Sequence, residues 1–335
     1  MTVCVHRRLA AALCAILALV PGSIASTGQS LAATPSQTPA TTGRADVNHK
    51  RIAADALRIH IAPRYAELAK RARALATMAD QMSGTCIQSQ HSFDAEFDAA
   101  FREVAAAWGG IAHITIGPVR QFNRYERIYF WPDRKSRAAR QVRRALASRD
   151  ATATDAAALA KRSIGLSGLH ALATLITARN KMSDPGARAH WCQFAAAVAT
   201  GVANTADELV AAWGDNGTFA EAWLGAGAGS SRFLKVSEPT LAVVQTILQA
   251  LNRIRDIELA RPLGLTRTRR QTNGPFGKVD LTMPYIAARI EALDDLYRSS
   301  GLRRELYRVA KARDAAGALF SLERIDEDFA FLVAK

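Results

Sequence analysis

The sequence has no apolar run long enough to span a membrane. Its one extended run, from Leu9 to Val20, has twelve residues, whereas a membrane-spanning helix needs about 20. Aromatic residues make up only 7% of the chain, and the alternation of polar and apolar residues that is typical of a strand persists nowhere. The sequence therefore predicts a mature chain without a transmembrane segment and a fold without sheets.

Acidic residues are too few to balance the basic ones. The chain has 30 Asp and Glu against 44 Lys and Arg, a net charge of +14. Such a surplus suits nucleic acid, anionic lipid or anionic polymer equally well. Hydrophobic residues, at 49%, are numerous enough to bury a core and exclude wholesale disorder. Much of this apolar content is alanine, which loses no side-chain entropy in a helix, so the composition favours helices.

The first 25 residues have the pattern of a secretory signal peptide. Arg7 and Arg8 precede the apolar run, Pro21 and Gly22 end it, and Ser23–Ala25 supplies the small residues of a cleavage site. A membrane anchor is the alternative, but the run is too short for it. We therefore expect a periplasmic or secreted protein that does not bind nucleic acid.

Few cysteines remain once this segment is removed. Cys4 and Cys14 lie within it, which leaves Cys86 and Cys192. In an oxidising compartment such a pair tends to form a disulfide, so we expect their Cα atoms to lie within about 7 Å. Two buried free thiols are the alternative.

The helical pattern predicts helices over about 154–178, 187–213 and 238–258. We expect the first helix of the chain to kink or restart at Pro63.

Helical periodicity begins near Asp46 and continues to the end of the chain. Residues 26–45 are mostly Ser, Thr, Gln, Pro and Ala, which is typical of a disordered linker. Asp184-Pro185-Gly186 is a strong helix break. We therefore predict an all-α protein with two packed domains that resemble four-helix bundles, one over residues 46–182 and one over residues 183–335.

Histidine patterns of well-known metal sites are absent. No His-Glu-x-x-His run occurs, and no histidine has a glutamate three residues before or after it, as di-iron bundles require. Asp46 with His49 and His91 with Asp94 are the nearest matches. Both pairs lie near predicted helix starts, where such residues are commonly caps or solvated.

Two stretches remain as candidate sites. In the first, Gly165 and Gly168 precede His170 in an apolar stretch that reads as helical, and such glycines permit close approach of another backbone or of a ligand. The alternative is a core histidine at tight helix packing. The second is Arg127–Asp133, which mixes guanidinium and aromatic groups able to bind an anionic or planar ligand. The alternative there is a packed loop.

Several stretches resemble the imelysin (insulin-cleaving metallopeptidase-like) proteins of bacterial envelopes. The most specific is Arg-Ile-Tyr-Phe-Trp-Pro-Asp at 127–133, which follows Gly117-Pro118 as in that family. The others are Ile61–Tyr65, Ser163–Leu175, which aligns with the family's Gly-x-His-x-x-Glu region, and Asp256–Gly264.

The resemblance implies two helical bundles with a site between them, a role in envelope iron uptake, and metallopeptidase activity in some members. Gly168 and His170 match the family motif, but Ala173 stands where the motif has glutamate. A methyl group neither binds a metal nor accepts a proton.

We therefore expect a non-catalytic protein that binds a ligand or a metal, iron or zinc, in a cleft between the bundles. The expected cleft residues are Gly168, His170, Arg127, Phe130, Trp131 and Asp133, with His170 as the candidate metal ligand. The alternatives are a metallopeptidase whose glutamate comes from elsewhere, and an envelope scaffold that binds partner proteins through the basic stripe of Arg137, Arg140 and Arg144.

Overall fold

The computed structural model describes residues 46–334 except 85, 87–89, 134, 180, 181, 183, 228 and 266–273. The predicted signal peptide and the predicted linker lie outside the described residues. No helix among the described residues is long and apolar enough to cross a membrane.

The described chain is built from helices and short helical turns, with no strand. The predicted all-α class is therefore confirmed. The helices are α1 (His49–Asp55), α2 (Ala62–Ser83), α3 (Gln90–Gly109), α4 (Arg124–Ile128), α5 (Arg137–Ala147), α6 (Ala156–Ala160), α7 (Gly168–Arg179), α8 (Pro185–Trp213), α9 (Thr218–Leu224), α10 (Glu238–Arg253), α11 (Thr282–Ser299), α12 (Leu302–Ala312) and α13 (Ala316–Val333).

Contacts between Cα atoms divide the described chain into two units, one over His49–Gly301 and the other over residues 46–48 together with the chain from Leu302 onward. In the smaller unit α12 packs on α13, and Arg303 donates to both carboxylate oxygens of Asp326. The predicted boundary between residues 182 and 183 stays a prediction.

The larger unit is organised around α8, which packs along α2 and also contacts α7. Its first turn follows Asp184, whose carboxylate accepts hydrogen bonds from the N–H groups of Gly186 and Ala187, as an N-cap residue does. Trp191 of α8 is fully buried and lies edge-on to Phe93 and Phe97 of α3. This packing fixes α3 and α8 around the same core.

Cys86 and Cys192 form a disulfide in this core, with their Cα atoms 6.6 Å apart. The predicted pairing is therefore confirmed. The bond joins Cys86, in the connection between α2 and α3, to α8, and the two cysteines are 106 residues apart in the sequence. A loop of about that length corresponds to about 4.7 kcal/mol on the chain-entropy model.

The first helix, expected to kink or restart at Pro63, changes type just before that residue. A π-helical turn, Ala56–Ile61, links α1 to α2. Proline has no N–H to donate and its ring crowds the preceding turn, so widening the turn just before it relieves both problems. A second π-helical turn, Ile254–Leu259, extends α10.

The helix predicted over 154–178 is broken into three pieces: α6, a 3₁₀ turn over Ile164–Leu166, and α7. The prediction placed Gly165 and Gly168 inside a helix, and this was wrong. Gly165 lies in the 3₁₀ turn, and Gly168 begins α7 with a φ of +76°. A positive φ is incompatible with a helix interior and is readily adopted only by glycine.

Candidate functional site

Gly168 lets the Arg127–Asp133 segment lie directly against α7. A Cβ atom at position 168 would lie 2.5 Å from the carbonyl oxygen of Arg127 and 2.6 Å from that of Ile128. Real Cβ atoms do not approach backbone oxygens so closely, so only glycine fits here. The close backbone approach expected from this glycine is therefore present, and it brings the aromatic segment onto the helix that carries His170.

His170 lies near the start of α7 and is only 6% exposed. Its Nε2 atom is 3.5 Å from a carboxylate oxygen of Asp133 and has no hydrogen-bond partner among the described residues. The ring of Phe130 stands edge-on to the imidazole, with centroids 6.5 Å apart. The structure thus brings His170, Asp133, Phe130 and Gly168 together, and it leaves one imidazole nitrogen without a hydrogen bond.

Asp133 is held in place by the start of α5. Its carboxylate accepts hydrogen bonds from the backbone N–H of Arg137, at 2.8 Å, and of Ala139, at 3.1 Å. These amides belong to the first turn of a helix, where N–H groups otherwise lack partners. The carboxylate beside His170 is therefore positioned by the backbone of a neighbouring helix.

Trp131 and the side chain of Arg127 have other partners. The guanidinium of Arg253 lies 5.8 Å from the centre of the half-buried Trp131 ring and donates to the Trp131 carbonyl at 3.4 Å. The side chain of Arg127 pairs with Glu208 at 3.6 Å. Arg127 thus touches α7 only through its backbone, and Trp131 is the link from this segment to the end of α10.

Lys278 is a neighbour of His170 that the sequence did not reveal. Burial, the positive charge of Lys278 and the opposing effect of Asp133 together set the pKa of His170 at about 4, so the imidazole is neutral at pH 7. Desolvation and the charge of Arg143 lower the pKa of Lys278, while Asp133 raises it. Lys278 follows a loop and belongs to no helix-spaced pattern, so no sequence signal marks it.

The described residues around His170 do not fit a catalytic zinc ion. Such a site needs three protein ligands, and His170 has one carboxylate beside it and a cationic lysine nearby. Ala173, one turn along α7, is 4% exposed and offers a methyl group. Within the described chain no three His, Cys, Asp or Glu residues are grouped so as to hold a metal ion.

The two carboxylates that could have replaced the motif glutamate have other partners. Asp207 pairs with Arg73 at 2.5 Å, and Glu208 accepts a hydrogen bond from Arg124 at 2.7 Å. Both belong to α8. Their ion pairs point them toward α2 and α4 rather than toward the imidazole of His170.

A second polar cluster lies at the first π-helical turn, and no local spacing in the sequence marks it. His60, in this turn, is fully buried and hydrogen-bonds His113, also buried, at 2.8 Å between their Nε2 atoms. Its other nitrogen contacts Asp295 of α11 at 2.7 Å. The hydrogen bond from His60, partial burial and the charge-assisted bond from Arg64 leave the pKa of Asp295 at about 2.

The second π-helical turn also carries a buried charge. Glu258 and Arg289 are each 1% exposed, with Arg289 Nε 3.4 Å from a carboxylate oxygen of Glu258. Arg253 approaches the other oxygen at 3.1 Å. Only a weak sequence signal marks Glu258 and Arg289, since each is a charged residue on an otherwise apolar helical stripe. π-Helical turns are frequent at functional sites, but here both serve buried ion networks.

The family model for imelysin (peptidase M75) matches residues 61–334. This range includes the Arg127–Asp133 segment, His170 and Ala173. The chain belongs to the imelysin family. No curated protein matches the chain at a significant level.

Two solved structures have a similar fold. One is an imelysin-like protein from Psychrobacter arcticum 273-4, with a TM-score of 0.64 and 14% identity over 86% of this chain and 93% of that one. The other is a "putative iron-regulated protein A precursor" from Parabacteroides distasonis ATCC 8503, with a TM-score of 0.60 and 13% identity over 88% of this chain and 96% of that one. At this identity the likeness establishes the imelysin fold.

The pKa of His170 gives a direct test of the site's electrostatics. We expect its NMR titration midpoint near pH 4, and a higher midpoint in Lys278→Met, because that variant removes a nearby positive charge. Lys161→Met, an exposed lysine on another element, should leave the midpoint unchanged. Since the pKa is lower in the folded chain than the ordinary 6.5, about 3 kcal/mol of stability present above pH 6.5 is lost as the pH falls toward 4. A midpoint near 6.5 in the wild type would contradict the assigned environment.

Proposed function

We propose that this chain is an exported imelysin-family protein that binds a ligand at the His170 site and does not hydrolyse peptide bonds. The observation that supports this most is that Ala173 and Lys278 both lie near His170. At position 173 the carboxylate that a metal or a water molecule would need is missing, and the positive charge of Lys278 lowers the pKa of His170 and likewise disfavours a metal cation nearby. A neutral imidazole beside the Phe130 ring, with a lysine nearby, suits a ligand with an anionic or planar part.

The proposal of an iron-related role is based on the family and on one structural relative. The Parabacteroides distasonis protein carries the words iron-regulated in its name, and the present chain has the same fold. Export is supported by the N-terminal sequence pattern and by the Cys86–Cys192 disulfide, a bond that persists in oxidising compartments. We infer that the chain works in the envelope, where an iron-linked ligand would reach it.

Binding to an anionic envelope partner is a second candidate function, favoured by the outer face of α5. Arg137, Arg140, Arg143 and Arg144 are exposed, and none forms an ion pair with a described residue. The opposite face of α5 is apolar and buried. A face of this kind suits an anionic partner protein or polymer, and it is compatible with ligand binding at His170.

Zinc binding tests whether the His170 site, with Ala173 in place of the motif glutamate, is unable to bind a metal ion. The thermal midpoint of the wild type should not change with zinc, because Asp133 is the one further candidate ligand that the described residues place beside His170. Ala173→Glu places a carboxylate one turn from His170 on the same helix face, so zinc should raise its midpoint by about 5 °C or more.

The double variant Ala173→Glu with His170→Ala is the control, and it should lose this response. A chelator-reversible rise in the wild type that His170→Ala abolishes would contradict the proposal.

A further inference from the structure

A separate cavity lies at the other end of α7. Its volume is about 240 Å³, it is partly open to solvent, and it is lined by residues of α3, of the last turns of α7 and of 278–281. A volume of this size suits a small organic molecule rather than a peptide or a haem.

The charges around the cavity leave a positive surplus. Arg179 is 7% exposed and its Nη1 donates to Asp98 at 2.7 Å, with a second hydrogen bond from Nη2 to the other oxygen, so these two charges neutralise each other. Arg102 and Lys278 form no ion pair with a described residue. Asp280 is the one other carboxylate in the lining.

The rest of the lining is Thr177 and four apolar side chains, Phe101, Ile176, Val279 and Leu281. A hydrated inorganic anion gains nothing from such surfaces. An organic anion with a short hydrocarbon body gains contact with them while its charged ends reach the basic residues. The two unpaired cations come from different elements, Arg102 from α3 and Lys278 from the 3₁₀ turn Gly277–Val279.

We propose that this cavity binds a small organic dicarboxylate. One carboxylate contacts Lys278, the other contacts Arg102, and the hydrocarbon between them lies on the apolar side chains of the lining, of which Val279 and Leu281 are partly exposed. Desolvation lowers the pKa of Lys278, and a bound carboxylate offsets that cost. The lining excludes His170 but includes Lys278, whose charge also acts on His170, so the Arg102 variant is the one that distinguishes binding in this cavity from binding at His170.

Calorimetric titration of the full mature chain with succinate tests the proposal, with inorganic phosphate and propionate as comparison probes. Succinate should bind more tightly than either. Lys278→Met and Arg102→Gln should each weaken succinate binding about tenfold or more, because each removes a charge-assisted hydrogen bond. Lys161→Met should bind succinate like the wild type.

Asp280→Asn should strengthen succinate binding, whereas the two preceding variants weaken it. It removes the unpaired carboxylate from the lining and keeps the shape of the side chain. Asparagine also tolerates the positive φ of 57° at this position. Succinate should therefore bind several-fold more tightly.

Three outcomes would overturn the proposal: no succinate binding at millimolar concentration, phosphate binding as tightly as succinate, or unchanged binding in Lys278→Met. Thermal unfolding of each variant shows whether it is folded. A Lys278→Met chain that unfolds is replaced by Lys278→Gln, for which the same weakening is expected. The zinc response of Ala173→Glu is measured separately, so failure here leaves the proposal for His170 standing.

Discussion

Replacing Glu258 with glutamine should destabilise the protein by about 3 to 5 kcal/mol. Glu258 is the carboxylate that faces the guanidinium of Arg289, and both side chains are 1% exposed. Glutamine keeps the shape and removes the charge, so the Arg289 cation is left buried with the Tyr285 hydroxyl as its neutral partner at 3.1 Å. Urea unfolding followed by circular dichroism measures the change.

Two controls separate the loss of charge pairing from other effects. Glu126→Gln breaks an exposed pair with Arg120 at the same distance of 3.4 Å and should cost less than about 1 kcal/mol. The double variant Glu258→Leu with Arg289→Met removes both buried charges and should recover much of the stability. A cost below about 1 kcal/mol for Glu258→Gln would contradict a buried ion pair at this position.

Replacing Gly168 with alanine should cost about 3 kcal/mol or more. The φ of +76° disfavours any residue with a Cβ by about 1 to 2 kcal/mol. The collision with the carbonyl oxygens of Arg127 and Ile128 adds an overpacking cost of about 1 to 3 kcal/mol. Because the clash pushes the Arg127–Asp133 segment away from α7, the NMR titration midpoint of His170 should also change, since burial lowers its pKa and the charge of Asp133 raises it.

Gly201→Ala is the matched control. Gly201 lies within α8, and a Cβ there would meet nothing within 4 Å. Alanine is the better helix former by about 1 kcal/mol, so this variant should be neutral or slightly stabilising. Equal changes in the free energy of unfolding for Gly168→Ala and Gly201→Ala would contradict the requirement for glycine at the start of α7.

Much of the fold was predictable from the sequence because long helices carry strong periodicity. The helix predicted over 187–213 is observed as Pro185–Trp213, since Asp184 and Pro185 mark its start and apolar residues repeat along it. The predicted stretch 238–258 is likewise observed as α10 with its π-helical extension. The break at Gly168 was missed because apolar residues on both sides continue the helical pattern, and a positive φ has no signature in that pattern.

The candidate site was only partly predictable. Gly168, His170 and the Arg127–Asp133 segment were found through their resemblance to a family motif, and the structure brings their backbones together. Lys278 and the partners of Arg127 depend on where distant parts of the chain meet, which no local spacing encodes. The pairing of His60 with His113 was missed for the same reason, since these residues are 53 positions apart.

Cleavage of an unfolded protein substrate by the purified mature chain, with zinc added, tests most directly whether the His170 site is a peptidase centre. With Ala173 in the place of the motif glutamate, Asp133 is the one carboxylate that the described residues place beside His170, and its oxygens already accept hydrogen bonds from the backbone of α5. The loss of a general base typically lowers a rate by about 10² to 10⁴. We expect the substrate to remain intact with the wild type and with His170→Ala alike. Chelator-sensitive cleavage by the wild type that disappears in His170→Ala would contradict the non-catalytic assignment and show that a distant carboxylate serves the site.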